Sequence, residues 1–235
     1  MSNIIRIHEI EDPNHRLGRH IWRSGNFFAQ VEAQKLVGDD IPQKTTRWTR
    51  RTPVFNQGNI GSCVGNAGTG VRMTDPFWKP GVTLTETDAV TLYSEATHFN
   101  GDPGVFYPPT DTGSSGPAAG QALERDGIIK GYGHDLTLHD TINSLMVSPG
   151  MMGIGWYDSF DTPLPTGQCV LTPGATLRGG HEIELYGCDI EQKQFQFYNS
   201  WGQGWGTIGD GSFWISFTDI EYLFTHGADA TFFTV

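Results

Sequence analysis

The chain has 235 residues, enough for one or two folding units with a buried core. Its 26 acidic residues outnumber 15 Lys and Arg, and the net charge of −11 would repel a phosphate backbone, so we expect no nucleic-acid partner. No apolar stretch reaches the roughly 18 residues of a membrane span, and charge interrupts the N-terminus before a signal peptide could form. We therefore expect a cytoplasmic protein with no membrane partner.

The three cysteines are too few, and odd in number, for a disulfide framework. This usage indicates a reducing compartment. Cys169 and Cys188 lie in no recognisable motif, and we interpret both as small buried hydrophobic residues.

Residues 1–45 are predicted to form an N-terminal arm that precedes the main fold. They are charged and contain one short amphipathic stretch at 27–36. A helix-terminating sequence, Gly-Asp-Asp-Ile-Pro, follows at 38–42. Two roles stay open for this arm: a packed structural segment, or a regulatory segment that covers a cleft.

The first half of the main fold, residues 46–131, is predicted to be a helical lobe. Ser62 is a good N-cap, so a helix is expected over 62–73, and further helical patterns run over 88–99 and 117–126. In the last of these, Pro117 suits a first helical turn and Gly127 suits a helix end.

The second half, residues 132–235, is predicted to be a lobe of strands. Short runs of β-branched and aromatic residues are separated by Gly, Pro and Asp, and they lie at 151–157, 182–189, 194–198, 212–217 and 230–235. Helices followed by strands predict an α+β protein of two lobes with a cleft between them. Two His-Asp pairs, at 134–135 and 139–140, are interpreted as solvated loop residues rather than metal ligands.

Cys63 is the candidate nucleophile. It begins the first predicted helix, where the positive end of the helix dipole and unpaired N–H groups favour a thiolate. Gln57 lies six residues earlier on a glycine-rich turn, so its amide and the Cys63 backbone N–H can converge as an oxyanion hole.

His181 and Asn199 are the candidate partners of this thiol. His181 follows two glycines before one predicted strand, and Asn199 follows the end of the next. If the strands pair, the Asn199 carbonyl can orient the imidazole while the other ring nitrogen faces sulfur. Trp201 could shield that hydrogen bond from water.

These segments resemble the papain-like cysteine peptidases, in particular propeptide-free members from prokaryotes and phages. Three motifs occur in the family's order: Gln57 to Cys63, Gly-Gly-His at 179–181, and Asn-Ser-Trp-Gly-Gln-Gly-Trp-Gly at 199–206. The resemblance implies a papain-like fold over 46–235, with the cysteine in a helical lobe and the histidine and asparagine in a lobe built on an antiparallel sheet or barrel. It also implies a nucleophile, a general base, its orienter and an oxyanion donor at Cys63, His181, Asn199 and Gln57.

The resemblance also assigns Ser115, Glu182 and Trp201 to substrate binding. Relatives usually have a small residue after the catalytic histidine, where it lines the main specificity pocket, whereas this chain has Glu182. We expect Glu182 to narrow or acidify that pocket and to favour a polar or basic side chain. The cysteine that forms a disulfide in relatives is replaced by Ile60, and the aromatic residue after the nucleophile by Val64.

The function expected from this resemblance is a cysteine endopeptidase that works through an acyl-enzyme and needs no metal or organic cofactor. Its partner would be a peptide or protein substrate. A phage-encoded protein acting in a bacterial cell fits the resemblance. Two alternatives stay open: a peptidyl or acyl transferase using the same site, and a catalytically silent peptide-binding module. The sequence leaves the oligomeric state open.

Overall fold

The computed structural model describes residues 15–19, 37–38, 41–101 and 103–235. The amphipathic stretch predicted at 27–36 lies outside these residues. None of the helices within the described ranges is long and apolar enough to cross a membrane.

The three predicted helices are present: α1 (Cys63–Arg72), α2 (Glu86–Thr97) and α3 (Gly116–Arg125). Thr85 caps α2 through a reciprocal pair of contacts with Asp88, and the Ser115 hydroxyl caps α3 by accepting from the Ala118 N–H. Ser62 is the N-cap residue of α1, as predicted, although its side chain makes no capping hydrogen bond.

Helix α1 packs closely on α2 because it carries glycine where the two meet. A Cβ atom at Gly65 would lie 2.0 Å from the Ala89 carbonyl oxygen and 2.8 Å from the Tyr93 side chain. Glycine lowers helix propensity by roughly 1 kcal/mol relative to alanine. The tertiary packing of an almost fully buried helix offsets that cost and fixes the position of its first residue.

A seven-stranded antiparallel sheet forms the rest of the described fold. Six strands lie in the order β2-β7-β3-β4-β5-β6, and β1 pairs with β4. The strands are β1 (Thr46–Arg47), β2 (Gly131–Asp135), β3 (Gly150–Tyr157), β4 (Leu177–Asp189), β5 (Gln194–Tyr198), β6 (Ser212–Ser216) and β7 (Asp229–Thr234). Two short helices, α4 (Leu138–Leu145) and α5 (Phe217–Thr225), accompany them.

The structure corrects several local predictions. β4 begins at Leu177, five residues before the predicted strand, so His181 lies inside the strand rather than at its head. Helices α4 and α5 and strands β1 and β2 were not predicted. His134 and Asp135 are buried on β2 and are not solvated loop residues, and His139 and Asp140 lie on α4.

Among the described residues, the buried hydrophobic side chains form two clusters. One joins the inner faces of the three N-terminal helices with Met151 and Phe233. The other lies on the sheet and is rich in aromatic residues, among them Trp156, Phe195, Phe197 and Phe213. The prediction of a two-lobed α+β fold, with cysteine in the helical lobe and histidine in the sheet, is confirmed.

Candidate active site

Cys63 is the first residue of α1, where backbone N–H groups have no partner within the helix. The turn before it is held by Asp111, which accepts from the Gly61 N–H at 2.8 Å and from the Tyr93 hydroxyl at 2.5 Å. These contacts fix the residues that lead into the helix and so position the thiol.

His181 is oriented by Asn199. Its Nε2 lies 2.7 Å from the Asn199 Oδ1, and the Ser200 N–H donates to that same oxygen at 2.8 Å. The backbone donor identifies this atom as the amide oxygen, so the imidazole Nε2 carries the proton of the shared bond. The neutral imidazole therefore keeps Nδ1 unprotonated, and Nδ1 accepts no hydrogen bond from the described residues.

The thiol lies beside the residue that follows the histidine. The Glu182 backbone N–H donates to the Cys63 sulfur, with 3.4 Å between N and S. Cys63 and His181 are both completely buried, with 0% of their surface exposed. The pairing of β4 with β5 and the packing of α1 against β4 thus bring together residues from three separate parts of the chain.

Two tryptophans enclose the imidazole. The Trp201 ring stacks on His181 at 4.9 Å between centroids, and Trp156 meets the same ring edge-on at 4.9 Å. Burial lowers the pKa of His181 to about 3, although the Asn199 hydrogen bond acts in the opposite direction. In this conformation the imidazole is neutral.

The Gln57 side chain, predicted to be an oxyanion donor, is held by two hydrogen bonds. Its Nε2 donates to the Ile60 carbonyl at 2.9 Å, and its Oε1 accepts from the Ser200 hydroxyl at 2.6 Å. A primary amide has two N–H bonds, so one N–H remains to act together with the backbone N–H of Cys63. Both contacts prevent the amide from rotating.

The 15–19 segment of the N-terminal arm lies across this site. The N–H groups of Gly18 and Arg19 both donate to the Gly180 carbonyl, at 3.2 and 2.9 Å, and the Ser114 N–H donates to the Gly18 carbonyl at 2.9 Å. The segment therefore bridges the strand that carries His181 and the loop before α3.

Further contacts fix the beginning of the 15–19 segment against the site. The His15 ring packs on Trp201 at 4.6 Å between centroids, and the Trp201 indole N–H donates to the Arg16 carbonyl at 3.0 Å. Arg178 donates to the His15 carbonyl at 3.3 Å. A substrate peptide entering between the two lobes would meet this segment.

The three residues predicted to bind substrate lie in different environments. Glu182 is buried and forms an ion pair with Arg19, with 3.4 Å between Nε and Oε2. Trp201 contacts the 15–19 segment as described. The Ser115 hydroxyl serves as the cap of α3, and it is the neighbouring Ser114 N–H that reaches the segment. Substrate binding by all three remains a prediction.

Sequence reasoning missed several supporting residues. Asp111 holds the turn before Cys63, and Ser200 holds the Gln57 amide. Only Ser200 could have been recognised in the sequence, because it lies inside the Asn-Ser-Trp motif. Arg19 lies in a part of the chain without a motif, and its partners are more than 160 residues away.

Cys169 and Cys188 take no part in the site. No disulfide bond joins any of the three cysteines, and burial raises the pKa of Cys188 to about 11 and that of Cys169 further. No cluster of metal-ligating side chains occurs among the described residues.

No protein-family model and no curated protein matches the chain. Solved structures do match it. Xylellain, a cysteine protease from Xylella fastidiosa, has a TM-score of 0.65 at 20% identity, and the match covers 96% of this chain and 98% of xylellain. Digestive procathepsin L 3 of Tenebrio molitor has a TM-score of 0.58 at 14% identity, with 93% and 84% covered.

The bromelain protease from Ananas comosus matches with a TM-score of 0.55 at 15% identity, over 83% of this chain and all of that chain. At such low identities the likeness concerns the fold. The chain has the papain-like cysteine protease fold.

Proposed function

We propose that this protein is a cysteine peptidase that hydrolyses peptide bonds through Cys63 and His181. The observation that carries the proposal is the Nε2–Oδ1 hydrogen bond between His181 and Asn199, which leaves Nδ1 unprotonated on a ring whose chain neighbour, Glu182, contacts the Cys63 sulfur through its backbone N–H. A nucleophile, a base and an orienting third group are the elements of nucleophilic acyl transfer.

In the first step Nδ1 of His181 takes the thiol proton, and the Cys63 sulfur attacks the carbonyl carbon of the substrate. An S–C bond forms, and the carbonyl oxygen becomes an oxyanion that the Gln57 amide and the Cys63 N–H stabilise. The imidazolium then gives its proton to the departing amine nitrogen, the C–N bond breaks, and a thioester remains.

Hydrolysis of the thioester returns the enzyme to its starting state. Nδ1 of His181 removes a proton from water while the water oxygen attacks the thioester carbon. The S–C bond then breaks, the carboxylic acid leaves, and the imidazolium returns its proton to the thiolate. Asn199 keeps its hydrogen bond to Nε2 throughout, which fixes the ring plane during both proton transfers.

Both reacting groups are covered in the structure, so catalysis requires the 15–19 segment to move. Desolvation keeps the His181 imidazole neutral while the segment is in place. Water that enters with displacement of the segment favours the charged imidazolium and, with it, the thiolate.

The test is hydrolysis of a fluorogenic peptide library under reducing conditions, with thiol labelling by an epoxide inhibitor measured alongside. We expect Cys63→Ala to abolish both, and Cys188→Ala, which removes a free cysteine of β4, to change neither by more than about threefold. Cleavage that persists in Cys63→Ala would refute the proposal. If added glycinamide yields mainly amide products, the reaction is acyl transfer rather than hydrolysis.

A further inference from the structure

Three neighbouring strands form an acidic pocket with a glycine in its floor. Gly153 on β3 is paired with Glu182 on β4 and with Asp229 on β7, so the two carboxylates flank a position without a side chain. Both carboxylates are buried, with at most 3% of either side chain exposed. We call this site the Arg19 pocket, after the residue that fills it.

The guanidinium of Arg19 lies over the glycine. Its Nη2 donates to the Asp229 Oδ1 at 2.7 Å and to the Gly227 carbonyl at 3.2 Å. A Cβ atom at Gly153 would lie only 1.8 Å from the Arg19 Nε, so the absence of a side chain there is what admits the guanidinium.

The charges around Arg19 are arranged for a cation. Burial alone would raise the pKa of Asp229, but Arg19 and His134 together lower it, and the His134 Nε2 lies 3.0 Å from Oδ2. Burial and Asp229 raise the pKa of Glu182 well above its usual range, whereas Arg19 lowers it. An unoccupied pocket would leave these two buried acidic side chains without the guanidinium between them, which is costly in a buried site.

Arg19 satisfies the pocket only in part. Neither carboxylate oxygen of Glu182 accepts a hydrogen bond from the described residues, and Nε and Nη1 of Arg19 likewise have no hydrogen-bond partner among them. Buried polar groups normally find partners, and each one left without a partner costs about 1–3 kcal/mol. The two Glu182 oxygens therefore remain as acceptors beside the guanidinium, and Arg19 makes no hydrogen bond to either of them.

The pocket is linked to Cys63 through Glu182. Glu182 contributes its side chain to the pocket and its backbone N–H to the Cys63 sulfur. Arg19 enters from a backbone hydrogen-bonded to Gly180, the residue before His181. A peptide that took this backbone position could place one side chain in the pocket and a carbonyl near the sulfur.

We propose that the Arg19 pocket recognises an arginine side chain of the substrate, and that Arg19 is its internal occupant until a substrate displaces it. The proposal rests on the peptidase function proposed above and names its substrate class. Two carboxylates on opposite sides of the site match the planar, multiply donating guanidinium better than the compact ammonium of lysine.

Binding tests the pocket without requiring catalysis. In the full chain carrying Cys63→Ala, the probe is N-acetyl-arginine amide, and N-acetyl-citrulline amide is its neutral isostere. We expect Arg19→Ala to create a site that binds the arginine probe at least roughly tenfold more tightly than the citrulline probe. Affinity is measured by calorimetry, and the rise in melting temperature on adding each probe is a second measure. Glu182→Gln added to Arg19→Ala should reduce that preference.

Two controls separate the pocket from general loosening of the arm. Arg16→Ala disturbs the same segment but leaves Arg19 in place, so it should create no arginine site. Glu184→Gln removes a buried carboxylate of the same strand that pairs with Arg50 instead, so added to Arg19→Ala it should leave the preference intact. Equal binding of both probes by Arg19→Ala, or no binding, overturns the proposal.

If Arg19→Ala does not fold, the unaltered chain gives the answer. Peptides that differ only in arginine or citrulline are compared by kcat/KM, and arginine should be preferred at one substrate position by roughly tenfold or more. Cleavage without this preference overturns the arginine pocket and leaves the peptidase intact. Where Arg19→Ala does fold and binds the arginine probe, absence of any cleavage by the unaltered chain refutes the peptidase instead.

Discussion

Removal of the Arg19 side chain should make Cys63 far more reactive. Arg19 anchors the 15–19 segment by buried contacts with Asp229 and Glu182, and Cys63 has 0% of its surface exposed while the segment is in place. On the proposal that this segment must move for catalysis, the rate of thiol modification should follow the population in which the segment is open.

The size of the effect follows from the buried charges. Removing one partner of a buried ion pair costs about 3–5 kcal/mol, because the other charge is left buried and unpaired. Arg19→Ala leaves Glu182 and Asp229 without the guanidinium, and this cost applies only while the segment is closed, since water reaches them when it opens. At about 1.4 kcal/mol per factor of ten, a cost of about 3–5 kcal/mol should raise the open population roughly 10²- to 4 × 10³-fold.

The assay is alkylation by iodoacetamide, followed residue by residue by peptide mass spectrometry. Cys169 and Cys188 are buried elsewhere and serve as internal references. Arg16→Ala is the matched variant, because its partly exposed pair with Asp111 is worth about 0–1 kcal/mol and should change the rate by no more than about fivefold. An unchanged Cys63 rate in Arg19→Ala, or an equal rise at all three cysteines, would refute this reasoning.

Further expected outcomes follow from the same geometry. Gln57→Ala should lower kcat roughly 10²- to 10³-fold with a small change in KM, because it removes an oxyanion donor, and steady-state kinetics measures this. Asn199→Ala should lower kcat roughly 10²-fold by freeing the imidazole ring, whereas Asn199→Gln should restore part of it if the carbonyl reaches Nε2. The His181 pKa of about 3 lies below the ordinary value of 6.5. Between these two pH values the unfolded chain protonates this imidazole and the folded chain does not, so the free energy of unfolding falls as the pH falls through this window. The difference in unfolding free energy between the chain and His181→Gln, measured against pH, isolates this imidazole, and a flat difference would contradict it. Gly153→Ala should expel the Arg19 side chain and speed Cys63 labelling, yet create no arginine site, because the new methyl group occupies the same space.

The candidate site residues could be picked out from the sequence because each lies in a local motif at a predictable place. A glycine-rich turn before a helix N-terminus marked Cys63, and two strands adjacent in sequence that form a hairpin-like pair placed His181 next to Asn199. Local signals of this kind depend on turn chemistry and on strand alternation, which are visible in one sequence.

Two of the unpredicted elements, β2 and α4, bury polar residues. β2 reads Gly-Tyr-Gly-His-Asp, a sequence with little β character, and it is buried because His134 pairs with Asp229 on the neighbouring strand. The glycines at 179–180 were interpreted as a strand boundary, whereas they continue β4 and let the 15–19 segment approach its backbone. Helix α4 did carry a usable signal, the Thr137 cap, which accepts from the Asp140 N–H.

The Arg19 pocket could not be found from the sequence. Its members come from the N-terminal arm and three strands, and its floor is a glycine, which has no side chain to signal a role. Only the tertiary pairing of these strands brings the two carboxylates to one site.

The most direct test of the central claim is capture of the acyl-enzyme on Cys63. The Arg19→Ala chain is mixed with a p-nitrophenyl ester of an acetylated arginine peptide and quenched in acid, and the intact mass and the modified peptide are determined. The account predicts a burst of one equivalent of nitrophenol and an acyl group on Cys63 alone, with neither in Cys63→Ala. Turnover without an adduct on Cys63, or the same burst in Cys63→Ala, would contradict it.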